Sequence, residues 1–247
     1  MSGHSKWHNI QKTKGAADAK RSQIFTKIAR EMIVAVKTGG SGDPANNSRL
    51  AAVIAKAKAA NMPNDNIKRT IDKALGAGNT DNFESVVYEG YGPNGVAVIV
   101  EALTDNRNRT APEVRHLLDK YGKGLGATGC VSWSFDRKGV ISVDKAAYPE
   151  DKIMEAALEA GADDVIDDED VWTLHTAMAD FGAVRDALEA AGIAMQSAEL
   201  AMVPQNLVAV DVDMGQKVLR FMDALDDNDD VQNVYANVDF PDDMPTD

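Results

Sequence analysis

One boundary constrains this chain more than any other: near residue 76 the apolar spacing changes from a helical period to alternating strands and helices. Upstream, Ile24, Ile28, Met32 and Ala35 recur at helical intervals, joined by Phe25 and Val36, until Gly39-Gly40 stops the run. Leu50, Val53, Ile54 and Ala57 mark a second amphipathic helix. Pro63 suits the first position of a third, with Asp65 in its first turn and Ile67, Ile71, Ala74 and Leu75 facing inward. These segments predict a three-helix bundle over residues 1–78, closed by the linker-like stretch Gly76-Ala-Gly-Asn-Thr-Asp81.

Downstream, strands are expected over 83–91 and 96–103, joined by the turn Gly92-Pro-Asn-Gly95. The spacing Thr110-Ala-Pro-Glu113 is that of a capping box and predicts a helix running to about residue 120. A hairpin is expected over 130–143 around Asp136-Arg-Lys-Gly139. A helix over 149–160, strands near 165 and over 171–176, a helix over 181–191 and a strand over 194–202 come next. From residue 140 that order is βαββαβ, the ferredoxin-like arrangement. A last strand, helix and strand, over 207–238, have no partner inside that unit, and neither do the strands at 83–103. The predicted fold class is therefore α+β and multidomain: a basic helical domain (1–78), a discontinuous α/β domain (79–136 and 205–247), and a ferredoxin-like domain (137–204) inserted in it.

The same boundary divides the charge. The net charge of the chain is −13, yet residues 1–75 carry 14 Lys and Arg against 5 Asp and Glu, a net of +9. Residues 76–247 carry 12 against 34, a net of −22. This asymmetry predicts a basic binding module on an acidic body, or a basic module that docks on that body; the two are compatible. The single cysteine, Cys130, forms no internal disulfide, and the N-terminus lacks the apolar core of a secretory signal. The longest apolar runs are too short to span a bilayer, so the expectation is a cytoplasmic protein without membrane contact.

No catalytic constellation emerges. Gly90-Tyr-Gly-Pro-Asn-Gly95 and Gly124-Leu-Gly-Ala-Thr-Gly129 both match G-x-G-x-x-G, but both run into strand-like sequence rather than a helix, so both read as turns. A P-loop is absent. Cys130 reads as a buried small hydrophobe in a strand, and His116 and His175 have no second ligand at metal spacing. The aspartate clusters at 163–170 and 226–230 lack the glycine and glutamate of a calcium loop and read as solvated loops. With Met1 removed, Ser2-Gly-His4 would offer a free amine, two amides and an imidazole at the spacing of a square-planar copper or nickel site, a spacing too common to assign one. No cofactor and no metal are expected, and the chain reads as a non-enzyme.

The basic residues are the strongest functional feature. At about 100° per residue, Lys20, Lys27, Arg30 and Lys37 fall in one arc of the first helix, opposite the apolar stripe. Lys6, Lys12, Lys14 and Arg21 lead into that face, Trp7 adds an aromatic to the leading arm, and Arg49 and Lys56 share a face of the second helix. A polyanion backbone is the natural partner, the alternative being a solvated face. A secondary polar loop, Thr104-Asp-Asn-Arg107-Asn-Arg109-Thr110, either contacts phosphate or packs against Asp105 and the helix cap.

Long stretches resemble the YebC family: Gly3-His-Ser-Lys-Trp7, Ala17-Asp-Ala-Lys-Arg21, Asn61-Met-Pro-Asn-Asp-Asn-Ile67, Tyr88-Glu-Gly-Tyr-Gly-Pro-Asn-Gly95, Ala102-Leu-Thr-Asp-Asn-Arg-Asn-Arg-Thr110 and Asp229-Asp-Val-Gln-Asn-Val-Tyr235. The family includes a mitochondrial translational activator of cytochrome c oxidase subunit I. The resemblance implies a helical domain and two α/β domains, one inserted in the other. It also implies a transcriptional regulator that binds DNA, or a factor acting on ribosomes and binding ribosomal or transfer RNA. Two departures, Asn47-Ser-Arg-Leu-Ala51 for N-P-R-L-R and Asn64 for the lysine of N-M-P-K-D-N, lower the positive charge of the second and third helices. The expected function is a non-enzymatic, nucleic-acid-binding regulator of gene expression. The resemblance puts the DNA-binding transcriptional regulator first; the acidic body leans slightly toward the ribosomal alternative, because long duplex DNA would repel it. An adaptor binding proteins through the acidic domains is the reading from another class.

Overall fold

The computed structural model describes residues 18–76, 82–168 and 170–244. In chain order the elements are α1 (Asp18–Gly39), α2 (Ser48–Ala59), α3 (Asn64–Leu75), β1 (Glu84–Tyr91), β2 (Ala97–Thr104), α4 (Arg107–Tyr121), β3 (Phe135–Asp144), α5 (Glu150–Ala160) and β4 (Asp164–Asp168). They continue with β5 (Val171–Ala177), α6 (Phe181–Ala190), β6 (Met195–Pro204), β7 (Val208–Ala209), α7 (Val212–Asp226), β8 (Val231–Ala236) and β9 (Val238–Asp239). The described residues divide into two compact units, one within 132–207 and one within 18–131 and 208–244.

In the discontinuous unit, α1, α2 and α3 bury Ile28, Met32, Ala35, Val36, Leu50, Val53, Ala57, Ile67 and Ala74 against one another. Asn47 holds the first corner together. Its side-chain oxygen caps α2 at the Leu50 amide (3.0 Å), while its amide nitrogen donates to the carbonyls of Ala35 and Ser41, each at 2.9 Å. Ile24 and Leu75, expected inside, are 44% and 54% exposed; Leu75 is the last residue of α3. Pro63 caps α3 from outside rather than starting it, with ψ at 139°. The linker reading falls on residues 77–81, outside the described residues.

The same unit contains a three-stranded antiparallel sheet in the order β1-β2-β8, so the strand pair at 84–104 is completed from the far end of the chain. Val98, Val100, Val234 and Ala236 pack with Val114 and Leu118 of α4 and with Val218, Phe221, Met222 and Leu225 of α7. A short parallel pair, β7 with β9, follows the register Val208↔Val238. The helix read as opening at Thr110 opens three residues earlier, capped by the Asn106 side chain on the Arg109 amide at 3.2 Å. Thr110 is not a cap because its hydroxyl is spent on Asp230 at 2.6 Å.

The continuous unit is β3-α5-β4-β5-α6-β6 with an antiparallel sheet ordered β4-β5-β3-β6, the ferredoxin-like arrangement expected from the sequence. Ile141, Val143, Trp172 and Leu174 meet Ile153, Ala157, Val184 and Leu188 of the helices. The expected hairpin around Asp136-Gly139 is absent: β3 runs unbroken through it, and Arg137 and Lys138 lie on the strand. Gly139 serves close approach rather than a turn, since a Cβ there would sit 2.3 Å from Thr176 Oγ1 and 2.5 Å from the Phe181 ring. The stretch before β3 is a single 3₁₀ turn, Ser132–Ser134, and not a strand.

Candidate nucleic-acid interface

The cations of α1 divide between two fates. Lys27 and Arg30, expected on an open face, are turned onto the acidic turn that follows α7. Lys27 is only 9% exposed, and its Nζ meets Asp226 Oδ1 at 2.6 Å and the Asp226 carbonyl at 2.7 Å. Gln23 donates to the same carbonyl at 3.2 Å. Arg30 reaches Asp230 Oδ1 at 2.8 Å, donates to the Asp229 carbonyl, and lies over the Phe83 ring. Lys27 and Arg30 share one face of α1, but an acid-rich turn distant in sequence occupies that face. The docking alternative therefore describes these two residues.

Asp230 is the hub of that contact. Its side chain is 4% exposed. Arg109 Nη2 lies 2.7 and 2.9 Å from its two oxygens, Thr110 donates at 2.6 Å, and Thr104 sits at 3.3 Å. Burial pushes this carboxyl up, but the Thr110 hydroxyl, the Arg109 guanidinium and the charge of Arg30 outweigh it and hold it below the usual aspartate range. Arg109 also bridges to Asp105 at 2.9 Å, which raises the guanidinium further. Of the two readings of the polar loop, packing against Asp105 fits Arg109; Arg107 stays exposed, 3.7 Å from Glu84.

The rest of the basic set is open to varying degrees. Lys6, Trp7, Lys12 and Lys14 lie outside the described residues. Lys20 is half-buried, and Arg21, Lys37 and Arg49 are exposed. Lys56 is exposed but bound to Glu31 at 2.7 Å. In the bundle the structure adds four exposed cations that the sequence reading passed over: Lys58 on α2, and Lys68, Arg69 and Lys73 on α3. Among the described residues, Arg49, Lys58, Lys68 and Arg69 enter no ion pair. The adjacent Lys68-Arg69 pair on a helix with few acids was the sequence feature that could have revealed them.

The glycine loops carry no ligand geometry. In the second, the amides of Gly129 and Val131 donate to the carboxylate of buried Glu89 at 2.8 and 2.9 Å. Gly124 and Gly129 supply the positive φ that this loop requires. An internal carboxylate thus occupies donors of the kind a phosphate would use. Cys130 lies in that loop rather than in a strand, half-buried, with burial pushing its thiol up. Among the described residues, no three His, Cys, Asp or Glu side chains gather as metal ligands, and no helix is long and apolar enough to cross a membrane.

Comparison with known proteins agrees over nearly the whole length. Residues 5–77 match the model of the TACO1/YebC protein N-terminal domain, and residues 83–238 match that of the TACO1/YebC second and third domain. A "Probable transcriptional regulatory protein" of Solidesulfovibrio magneticus is 53% identical, over 99% of each chain. One of the same name from Clostridium botulinum is 54% identical, over 98% of each chain. The crystal structure of a conserved hypothetical protein from Aquifex aeolicus superposes with a TM-score of 0.83 at 43% identity, covering 92% of this chain and 93% of that one.

Proposed function

The chain belongs to the TACO1/YebC family, and on that premise we propose that it is a non-enzymatic regulator of gene expression that binds nucleic acid through its helical module. The observation that carries this is the separation of cations on that module. Lys27 and Arg30 hold it to the acidic turn, while Arg49, Lys58, Lys68 and Arg69 remain exposed and without ion pairs among the described residues. Unneutralised cations gain free energy by releasing condensed counterions from a polyanion. The names of the relatives favour DNA and transcription. RNA within the ribosome is the second reading, supported by the net −22 of residues 76–247, which long duplex DNA would repel.

The test is a salt titration of binding to a labelled DNA duplex and to an RNA hairpin. Reversing Arg49, Lys58, Lys68 and Arg69 to Glu should weaken binding and flatten the dependence on log salt by about 0.9 per lost contact on duplex DNA. Lys27→Gln should instead lower the melting temperature and leave the slope unchanged. A fourfold reversal that stays folded and keeps its affinity and slope would leave the adaptor reading in the lead.

A further inference from the structure

The acidic body carries a basic island. Residues 76–247 contain 12 Lys and Arg against 34 Asp and Glu, yet five of those cations and only two of those acids fall within 107–123, the length of α4 and its exit. Arg109 is engaged by Asp105 and Asp230. Arg115, Lys120 and Lys123 are exposed, as is His116 among them, and the three cations enter no ion pair among the described residues. Of the two acids, Glu113 accepts from Asn228 at 2.8 Å, and Asp119 forms no ion pair with any of the three. Cations of the ferredoxin-like unit behave differently: Lys145 pairs with Asp167, and Arg185 with Asp186.

The island is also held rigidly. At the front of α4, Arg109 and Thr110 are anchored on Asp230, the carboxylate that Arg30 of α1 shares. At the back, the Lys123 amide donates to the Tyr91 carbonyl at 2.8 Å. Gly122 approaches that carbonyl so closely that a Cβ would lie 2.3 Å from its oxygen. α4 is therefore fixed at both ends, and fixed to α1 of the bundle. Cations presented from a rigid backbone lose little entropy on meeting a ligand. The helix dipole by itself accounts for a lysine in the last turn of α4, but not for Arg115 in mid-helix.

We infer that the outer side of α4 is a second polyanion surface, on which Arg115, Lys120 and Lys123 take backbone phosphates of the same nucleic acid that the bundle holds. Protein is the poorer occupant. None of the large exposed apolar side chains lies on α4, so the surface lacks the apolar anchor around which protein interfaces are built. The inference rests on the nucleic-acid reading above and extends it from the helical module to the acidic body. A positive island at the place of contact lets a polyanion approach a body whose net charge would otherwise repel it.

The experiment titrates the full chain with the labelled DNA duplex and RNA hairpin and reads the reactivity of each lysine toward an acylating reagent, bound against free. Lys120 and Lys123 should lose reactivity together with Lys58 and Lys68, while exposed Lys152 of the ferredoxin-like unit keeps its own. Reversing Arg115, Lys120 and Lys123 to Glu removes three phosphate contacts. Between about 50 and 200 mM salt, the variant should therefore lose about fortyfold less affinity for the duplex than the native chain does. Lys120→Gln combined with Lys123→Gln is a gentler change that serves should the triple reversal fail to fold, and its difference should be about twelvefold. Lys120 and Lys123 that stay reactive while Lys58 and Lys68 are protected, or folded variants with the native salt dependence, would overturn this inference and leave the nucleic-acid reading standing. Protection of Lys120 and Lys123 by an acidic peptide but by neither nucleic acid would assign the surface to a protein and overturn it as well. Failure of the native chain to bind either nucleic acid would overturn both readings.

Discussion

Two aspartate clusters of similar density meet opposite fates in this molecule. Asp226-Asp-Asn-Asp-Asp230 closes α7; Asp227 and Asp229 are exposed, but Asp226 is half-buried against Lys27 and Asp230 is buried as the hub of Arg30, Arg109, Thr104 and Thr110. Most of Asp163-Asp-Val-Ile-Asp-Asp-Glu-Asp170 forms β4 at the edge of the ferredoxin-like sheet, with Asp164 and Asp167 exposed. Lys145 reaches Asp167, and buried Asp168 accepts from Thr173 at 2.9 Å. Local composition does not separate the two. The arrival of cations from distant elements does: α1 and α4 supply Lys27, Arg30 and Arg109 to the first cluster. The second instead works as an edge guard, since a row of carboxylates discourages another strand from adding to β4.

The contrast is broken most forcefully at its hub. Asp230→Ala should destabilise the protein by about 3–5 kcal/mol in urea titrations, because two guanidinium groups lose their buried counter-charge. Asp164→Ala should cost about 0.5 kcal/mol or less. Similar losses from the two substitutions would mean that the hub is no more than surface electrostatics.

Acidification should separate the two units by pH window. Asp230 is held below its unfolded value of about 3.9, so its contribution is complete above that value and is lost as pH falls through the lower folded value. In the ferredoxin-like unit, burial, followed by the charge of Lys138, pushes His175 down against the pull of Asp164, Asp168 and Asp163. A native histidine below its unfolded value of about 6.5 costs stability as pH falls from there toward the folded value. Amide protection factors, with the intrinsic pH dependence of exchange divided out, should therefore fall first in β5, near pH 6, and in β8 only below about pH 4. His175→Gln should remove the first change and Asp230→Asn the second; simultaneous onset in both strands would contradict the assignment. The smallest effect concerns Tyr88, whose buried hydroxyl has no hydrogen-bond partner among the described residues, beside an otherwise satisfied hub. Tyr88→Phe should be neutral or stabilising by about 1 kcal/mol, measured as a shift in the urea midpoint.

Much of this architecture was legible in the sequence because apolar period reports burial directly. Ile28, Met32, Leu50 and Ile67 mark the bundle core, and the βαββαβ order of the ferredoxin-like unit stands in the pattern of Val, Ile and Trp. Features set by non-local contact were hidden. Thr110 looks like a cap until Asp230 takes its hydroxyl, Gly139 looks like a turn until Thr176 and Phe181 press on it, and Lys27 looks like a phosphate contact until Asp226 meets it. Each misreading involves a side chain whose partner lies on another element. The candidate interface was legible as a basic module but not residue by residue, since periodicity gives the face of a helix and not what that face meets.

The completed sheet also sets a timetable. Ala97 at the start of β2 donates to Asn237 at 2.7 Å across 140 positions, and Lys27 waits for Asp226 across 199. At about 5–20 residues per second, the strand that closes β2 leaves the ribosome on the order of ten seconds after its partner. The bundle is already complete when that interval begins and the ferredoxin-like unit is synthesised within it, while the free edge of β2 and the cations facing the future acidic turn stand uncovered. For that interval, the nascent chain is more basic and more strand-hungry than the finished protein, so truncation before residue 226 would produce a sticky species rather than a smaller functional one.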